Sequence, residues 1–307
     1  MSSSDRPLDG KVVLVTGAGG GIGRAIATEA AAAGAAVVVN DLGASLRGSR
    51  ESSAAAQDAV AAIEAAGGRA VANGDDVSDP DGAGRMVAAA TDAFGRLDAV
   101  VNNAGILRDT FFHKMTHEDF DAVVKVHLYG TFNVSRAAAD VFRAQGSGSM
   151  IHMTSTSGLV GNLAQANYSA AKLGIAALSK SIALDLARWN VRSNCIAPFA
   201  WSRMTANIKV DSPEQEARVN RMKAMVPEKI APLALFLASD GGADVTGQIF
   251  AVRNNEIFLM SQPRPTRSVH RAEGWDVGSV ASHAIPALRA SFLPLDVSGD
   301  VFAWDPV

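Results

Sequence analysis

The chain has 307 residues, 48% of them hydrophobic, a net charge of −3 and a single cysteine. That length suits one large domain, or a domain with an extension, whose core can be substantial without a disulfide or a metal staple. The charge balance offers no electrostatic footprint for nucleic acid or an anionic membrane; Cys195 cannot form an intrachain disulfide, no Cys/His cluster has zinc-site spacing, and so no metal is expected.

Apolar, β-branched runs alternate with alanine-rich helical stretches. Lys11 to Thr16 reads as a buried strand, Gly21 to Ala33 as a helix stopped at Gly34, and Ala35 to Asn40 as the next strand. A helix over Ala54 to Ala66 ends at Gly67-Gly68, followed by a strand over Arg69 to Ala72. Pro80 can start a helix that runs to Phe94, and Asp98 to Asn102 is a fourth strand. A long helix spans His117 to Ala144, a fifth strand Met150 to Met153, a helix Gln165 to Ala187, and a sixth strand Val191 to Ile196. Glu228 to Ala238 reads as a helix and Gly247 to Val252 as a seventh strand. Strands buried on both faces read as continuous apolar runs, and this rhythm predicts an α/β fold with a parallel, doubly wound sheet.

Two segments break the rhythm. Phe199 to Met225 is a long irregular connection holding Trp201, Arg203, Met204, Lys209, Met222 and Met225. A connection of that length reads as a lid or substrate loop, and its apolar residues are either plain core or the lining of an apolar pocket. Residues 255–307 follow the last strand as a C-terminal extension, so the chain divides into 1–254 and 255–307. Prolines at 263 and 265 oppose a long helix there, although Gly278 to Ala290 can hold a short one. Either the extension is an arm that covers a neighbouring subunit, or it supplies a wall of an active site in trans through Trp275 or Trp304.

The first residues, Met1 to Pro7, carry no apolar run of a secretory leader, and no segment approaches the ~20 apolar residues of a membrane span. Asp305-Pro306-Val307 is not a peroxisomal address. The expectation is a cytoplasmic protein.

Thr16-Gly17-Ala18-Gly19-Gly20-Gly21-Ile22-Gly23 joins the first strand to the first helix. Glycines let a backbone turn tightly and approach a pyrophosphate, and the helix N-terminus offers free amides and a partial positive charge. Asp41, ~20 residues on at the end of the second strand, completes the dinucleotide fingerprint; the bland alternatives are an unliganded turn and a turn aspartate. Asp41 would accept from the adenosine ribose and repel a 2′-phosphate. No Lys or Arg adjoins it, and Gly20 stands where a cationic side chain would aid an extra phosphate, so NAD is expected rather than NADP.

Tyr168 and Lys172 lie four apart, on one helical face, and Ser155 lies thirteen residues before the tyrosine. An ammonium close to a phenol lowers its pKa, and a tyrosine so tuned exchanges protons with an alcohol or ketone near neutral pH. Ser155 would give a second hydrogen bond to the same substrate oxygen, with Thr154 and Ser157 as its neighbours in Thr154-Ser155-Thr156-Ser157. Cys195, in a predicted buried strand with no electropositive partner, reads as a structural thiol.

Across residues 8–255 these motifs, with Asp76-Val77 and Asn102-Asn103-Ala104-Gly105, resemble the short-chain dehydrogenase/reductase family. The resemblance implies a seven-stranded parallel Rossmann sheet, usually in a homodimer or homotetramer. It also implies roles: Gly17, Gly21, Ile22 and Gly23 at the cofactor turn, Asp76 and Val77 around the adenine, Asn103, Ala104 and Gly105 along the cofactor channel, Lys172 on the nicotinamide ribose with Tyr168 beside it, and Pro198 by the nicotinamide ring.

A narrower resemblance is carried by Val126-His127-Leu128-Tyr129-Gly130-Thr131-Phe132, Gly161-Asn162, Gln165 to Gly174, and Ile196-Ala197-Pro198 with Ser202-Arg203-Met204-Thr205. It points to the dehydrogenase unit of the peroxisomal multifunctional β-oxidation enzymes and to their stand-alone bacterial relatives. What it implies is NAD-dependent oxidation of a 3-hydroxyacyl-CoA thioester, with Arg203 and Lys209 as candidate phosphate contacts. A hydroxysteroid or other bulky secondary alcohol, and a catalytically silent nucleotide-sensing protein, stay open as alternatives. Where much of the family has an asparagine whose backbone carbonyl holds a water beside the catalytic lysine, this chain has His127. A carbonyl is there whatever the side chain, so His127 reads as a local structural histidine or as a titrating proton carrier.

Overall fold

The computed structural model describes residues 6–44, 47–48, 54–200 and 212–307. Five-residue runs such as Val12–Thr16 (β1) and Ala36–Asn40 (β2) are buried throughout, as strands covered on both faces must be. With Arg69–Asn73 (β3), Ala99–Asn102 (β4), Gly148–Met153 (β5), Val191–Phe199 (β6) and Ile249–Arg253 (β7) they form a parallel sheet, closed at one edge by Glu256–Leu259 (β8). The order is β3-β2-β1-β4-β5-β6-β7-β8, and the winding reverses between β1 and β4. In open α/β sheets that reversal leaves a crevice at the carboxyl ends of the strands.

Helices cover both faces. On one side lie Gly21–Ala32 (α1), Ala55–Ala65 (α2) and the later Ala231–Ala238 (α9). Their Ile26, Ile63 and Leu237 share a buried cluster with Val13, Val15, Val37 and Val101. On the other side lie Pro80–Phe94 (α3) and Gly130–Gln145 (α5), whose Met86, Val87, Val134 and Phe142 pack on Val12, Leu14, Val38 and Val100. Successive residues of each strand feed opposite cores, which is the period-2 geometry of a strand. Gly148 lies hard against the Phe142 ring, with 2.2 Å between the ring and the place a Cβ would occupy, so the start of β5 has room for no side chain.

The structure departs from the sequence reading in three places. The sheet has seven parallel strands and an eighth, antiparallel one, drawn from the extension beyond residue 254. The β7–β8 turn is Asn254-Asn255, with Asn254 left-handed at φ +57°, a conformation asparagine tolerates. The helix expected over His117 to Ala144 is His117–Val124 (α4) and α5 joined by a wide π turn at Lys125–Tyr129. Within the long connection lies a helix, Pro213–Lys223 (α8). Trp201, Ser202, Arg203, Met204, Thr205 and Lys209 fall outside the described residues. Of the other two methionines of that segment, Met225 is buried and Met222 partly so.

The remaining elements bear on the site: Thr156–Leu159 (α6), Ala166–Leu186 (α7), then Val277–Ser279 (α10) and Ile285–Arg289 (α11) flanking a second π turn, and Ser298–Val301 (α12). Residues 296–307 return onto the chain's own sheet. Phe302 packs edge-on against Phe199 and Phe258, at 5.0 and 5.2 Å between ring centres. Among the described residues no helix is long and apolar enough to cross a membrane.

Candidate active site

At the carboxyl ends of β1 and β4 lies a cleft of about 940 Å³, open toward β6. The glycine turn forms its floor. Gly17 and Gly21 take left-handed φ values of +63° and +53°, which glycine adopts at no steric cost. Packing demands further glycines. A Cβ on Gly23 would meet the Gly17 carbonyl O at 2.2 Å, and one on Gly19 would meet Asp41 Oδ2 at 2.7 Å. At Gly20 and Gly21, by contrast, a Cβ would meet nothing within 4 Å, because bare backbone faces the cleft there. Gly20 caps α1 without a side-chain acceptor, and Gly21 and Ile22 line the cleft at the positive end of the helix. A cleft of this size over an uncapped helix N-terminus fits a dinucleotide pyrophosphate.

Asp41 also lines the cleft. Its Oδ2 accepts from the Gly19 amide at 2.8 Å and its Oδ1 from the Gly43 amide at 2.7 Å. The carboxylate therefore fixes the glycine turn and keeps a second lone pair on each oxygen for a ribose hydroxyl. Asp76, Val77, Asn103, Ala104, Gly105, Tyr168 and Pro198 line the same cleft. Gly23 and Lys172 lie behind the wall, both buried. Asn103 holds its place by giving Nδ2 hydrogen bonds to the carbonyls of Thr16 (3.0 Å) and Gly17 (3.1 Å). Thr16 Oγ1 accepts from the Asn103 and Ala104 amides. Thr16 thus ties the β1 turn to the end of β4, a positioning role that no motif singled out.

Ser155, Tyr168 and Lys172 converge beside the β5 and β6 ends. Ser155 caps α6, its Oγ accepting from the Ser157 amide at 3.1 Å, and it lies near enough to the Tyr168 hydroxyl to lower that group's pKa. It is also the partly exposed member of its motif. Thr154 is buried and donates to the Lys172 carbonyl at 2.6 Å, and Ser157 is buried. Lys172 is 4% exposed and gives its ammonium to the Met153 carbonyl at 2.5 Å. Asn167, fully buried, donates to the Arg108 and Asp119 carbonyls and accepts from the Tyr168 amide, anchoring the start of α7.

The electrostatics correct one expectation. Tyr168 is pushed up to about 12, by burial first, with the Ser155 hydrogen bond pulling the other way. Burial takes Lys172 down to about 7. The lysine points at Met153 O, with its Nζ 5.5 Å from the Tyr168 ring centre, rather than at the phenol oxygen, so helical spacing alone does not deliver the lowered phenol.

His127 sits on the π turn, 3% exposed, its ring edge-on to Tyr168 at 5.2 Å. Nε2 lies 2.8 Å from the Ile106 carbonyl and 3.1 Å from the Ile106 amide. One ring nitrogen serves one of these roles, and the shorter contact makes it the donor to the carbonyl. Nδ1 is then a buried acceptor without a protein partner. Burial, with the Lys172 charge second, lowers His127 to about 3. Such an imidazole is neutral at physiological pH. Gly105 exists in contact with it: a Cβ there would stand 2.3 Å from His127 Cε1. Cys195 is fully buried, with its thiol pushed up to about 12 by burial.

Beneath the cleft runs a buried polar chain that sequence motifs did not reveal. Asn102 Nδ2 donates to Ser135 Oγ and to His152 Nδ1 at 3.0 Å each. His152 Nε2 then reaches Ser193 Oγ at 3.0 Å, and Ser193 meets Ser179 Oγ at 2.8 Å. It stitches α5, β4, β5, β6 and α7 together behind the site.

Comparison with known proteins supplies the rest. The family model described as short chain dehydrogenase matches residues 11–214. A hydroxyacyl-CoA dehydrogenase of Mycobacterium tuberculosis is 41% identical over 282 residues, which cover 88% of this chain and 86% of that protein. The peroxisomal multifunctional enzyme type 2 of Mus musculus is 47% identical over 244 residues, 80% of this chain but 32% of that much longer protein. The crystal structure of a short chain dehydrogenase from Mycobacterium avium superposes with a TM-score of 0.81 at 41% identity, covering 94% of this chain and 97% of that one.

Proposed function

The chain belongs to the short-chain dehydrogenase family and is an oxidoreductase of CH–OH groups, and from that premise we propose that it uses NAD to interconvert a 3-hydroxyacyl-CoA and its 3-ketoacyl counterpart. The observation that carries the reading is that Tyr168, in the wall of the glycine-floored cleft, stands beside Ser155 and Lys172. In this reading Gly17, Gly21 and Ile22 hold the pyrophosphate, Asp41 the adenosine ribose, Asp76 and Val77 the adenine, and Pro198 the nicotinamide side. When bound, the nicotinamide supplies the hydride acceptor or donor. Everything else falls to the chain. Tyr168 exchanges the proton of the substrate hydroxyl. Ser155 orients that oxygen and steadies its negative charge as it develops. Lys172, near 7, takes or gives a proton at physiological pH and so keeps the tyrosine supplied.

His127 serves in this scheme as a neutral positioning residue. It fixes Ile106 at the end of the cofactor channel, while its Nδ1 lone pair stays buried without a protein partner. A titrating role fits poorly with a buried imidazole near 3. The preference for NAD rests on Asp41, whose charge stands where a 2′-phosphate would lie. The thioester preference rests on the names of the relatives. Assembly as a homodimer or homotetramer is part of the same reading, supported by Phe120, Tyr129, Phe132, Leu173 and Leu184 exposed on α4, the π turn, α5 and α7.

The test is NADH oxidation with a 3-ketoacyl-CoA beside the matching free ketone and a bulky steroid ketone, with NADPH as control. We expect kcat/KM for the thioester with NADH to exceed each alternative by at least about tenfold, the ratio that ~1.4 kcal/mol of transition-state binding gives. Equal or better turnover of the free or steroid ketone would leave the catalytic residues assigned and remove the CoA reading.

A further inference from the structure

Residues 296–307 touch both the turn that follows Ser155 and α8, the helix within the long connection. At one end, Ser298 Oγ donates to Thr156 Oγ1 at 2.6 Å, and the Ser298 amide to the Gly161 carbonyl at 2.9 Å. Thr156 directly follows Ser155 and opens α6. Both hydroxyls are buried, Ser298 at 9% and Thr156 at 7% exposure. Gly161 has φ +148°, and a Cβ there would stand 3.1 Å from the Asp296 carbonyl, so the turn after α6 is shaped around the returning chain. At the other end, Asp305 pairs with Arg221 of α8 at 2.6 Å. Between these ends Phe302 is 8% exposed in a cluster with Ala197, Phe199 and Leu159. Arg253 donates to the Trp304 carbonyl, and the Asn255 amide to the Val307 carbonyl at 2.9 Å.

We infer that segment 296–307 is a strap in which Ser298 and Asp305 are positioning residues: Ser298 sets the turn that carries Ser155, Asp305 sets α8, and the two walls of the substrate pocket are held in one spacing. The inference rests on the dehydrogenase reading for its effect on turnover, but the contacts themselves do not depend on it. The two contacts differ in strength. The Ser298–Thr156 bond is buried, and breaking it leaves a hydroxyl without its partner. The Asp305–Arg221 pair is nearly half exposed on both sides, so its contribution is modest and screened by salt. Ser298 therefore governs the rate through Ser155, and Asp305 governs how well a long substrate is held.

The experiment has two arms on the full chain. Amide hydrogen exchange is read first, because it needs no turnover. Ser298→Ala should lose protection at residues 156–161, Asp305→Arg should lose it at 213–223, and β1 to β4 should be unaffected in both. Kinetics come second. Ser298→Ala should lower kcat about fivefold with the NADH dissociation constant within about twofold of wild type, and Ser298→Thr, which keeps the hydroxyl, should restore it. Asp305→Arg and Arg221→Asp should each raise the ketone KM about threefold, and the double exchange should return it toward wild type. Unchanged protection at both segments, or an Ser298→Ala loss matched by an equal loss of NADH affinity, would overturn the strap. A wild-type protein that oxidises no NADH with any ketone, while the exchange pattern follows the strap, would overturn the dehydrogenase reading alone.

Discussion

Two histidines sit buried and neutral at opposite ends of the site: His127 against the cleft and His152 beneath it, each lowered to about 3, by burial first. A group whose folded pKa lies below its unfolded value contributes stability above the unfolded pKa and loses it as pH falls toward the folded one. Here the window runs from about 6.5 down to about 3. Near its middle, unfolding takes up roughly two protons from this pair, a slope of about 2.7 kcal/mol per pH unit. Urea midpoints measured across that window should fall accordingly, and His152→Gln should halve the part of the slope due to the pair. A slope that the substitution leaves intact would mean His152 is charged in the native protein. Lys172 works in the same direction on the alkaline side: its depressed value makes stability rise from about 7 toward its unfolded range, until the raised Cys195 and Tyr168 take it back. The roles of Tyr168, Lys172 and Ser155 could be read as candidates from spacing. Their electrostatics could not, because desolvation depends on what packs around a group and the sequence does not carry that. For the same reason the anchoring roles of Thr16 and Asn167 stayed hidden: an anchor bonding to distant backbone groups looks like any other polar residue.

At the scale of elements, the parallel strands and their helices were legible because strands covered on both faces are apolar at every position, and the glycine turn because packing admits no alternative at Gly17, Gly19 and Gly23. The π turn at Lys125–Tyr129 was not legible, since one extra residue in a helical turn leaves the apolar spacing nearly intact. Yet that turn presents His127 to Gly105. Gly105→Ala places a methyl 2.3 Å from His127 Cε1, and the ring is held from behind by Tyr168 and in front by Ile106. We expect a destabilisation of about 1–3 kcal/mol, the cost of overpacking a closed site, together with weaker NADH binding. Thermal melting and NADH titration of the variant would show it. A variant with wild-type melting and affinity would mean that the ring can rotate away and that the turn does not fix it. β8 escaped for a different reason. It is short and only half-buried, and its Asn254-Asn255 turn is a hairpin signal that a reader expecting only parallel strands passes over.

For the whole molecule, the extension beyond residue 254 carries more of the architecture than its loop-like composition suggests. It adds β8 to the sheet edge, seats Phe302 against Phe199 and Phe258, and returns to Thr156 across 142 residues of chain. Contacts at such separations have no signature in a single sequence, which is why the extension could not be placed. Removing 255–307 uncovers the edge of β7 and the ring cluster under it, and an open, apolar edge strand pairs with other chains. The shortened protein should elute as aggregate or with a urea midpoint well below that of the full chain. A monodisperse truncation of unchanged stability would instead make the extension an accessory arm.

The proposed role of Tyr168 is proton exchange with the substrate in a cleft that takes NAD. It is tested most directly by comparing wild type with Tyr168→Phe for NADH oxidation with a 3-ketoacyl-CoA and for NADH binding by fluorescence. Turnover of Tyr168→Phe should fall by at least about a thousandfold, roughly 4 kcal/mol of transition-state stabilisation, with NADH affinity within a fewfold of wild type. Turnover retained in the variant would contradict it, because some other group would then be moving the proton.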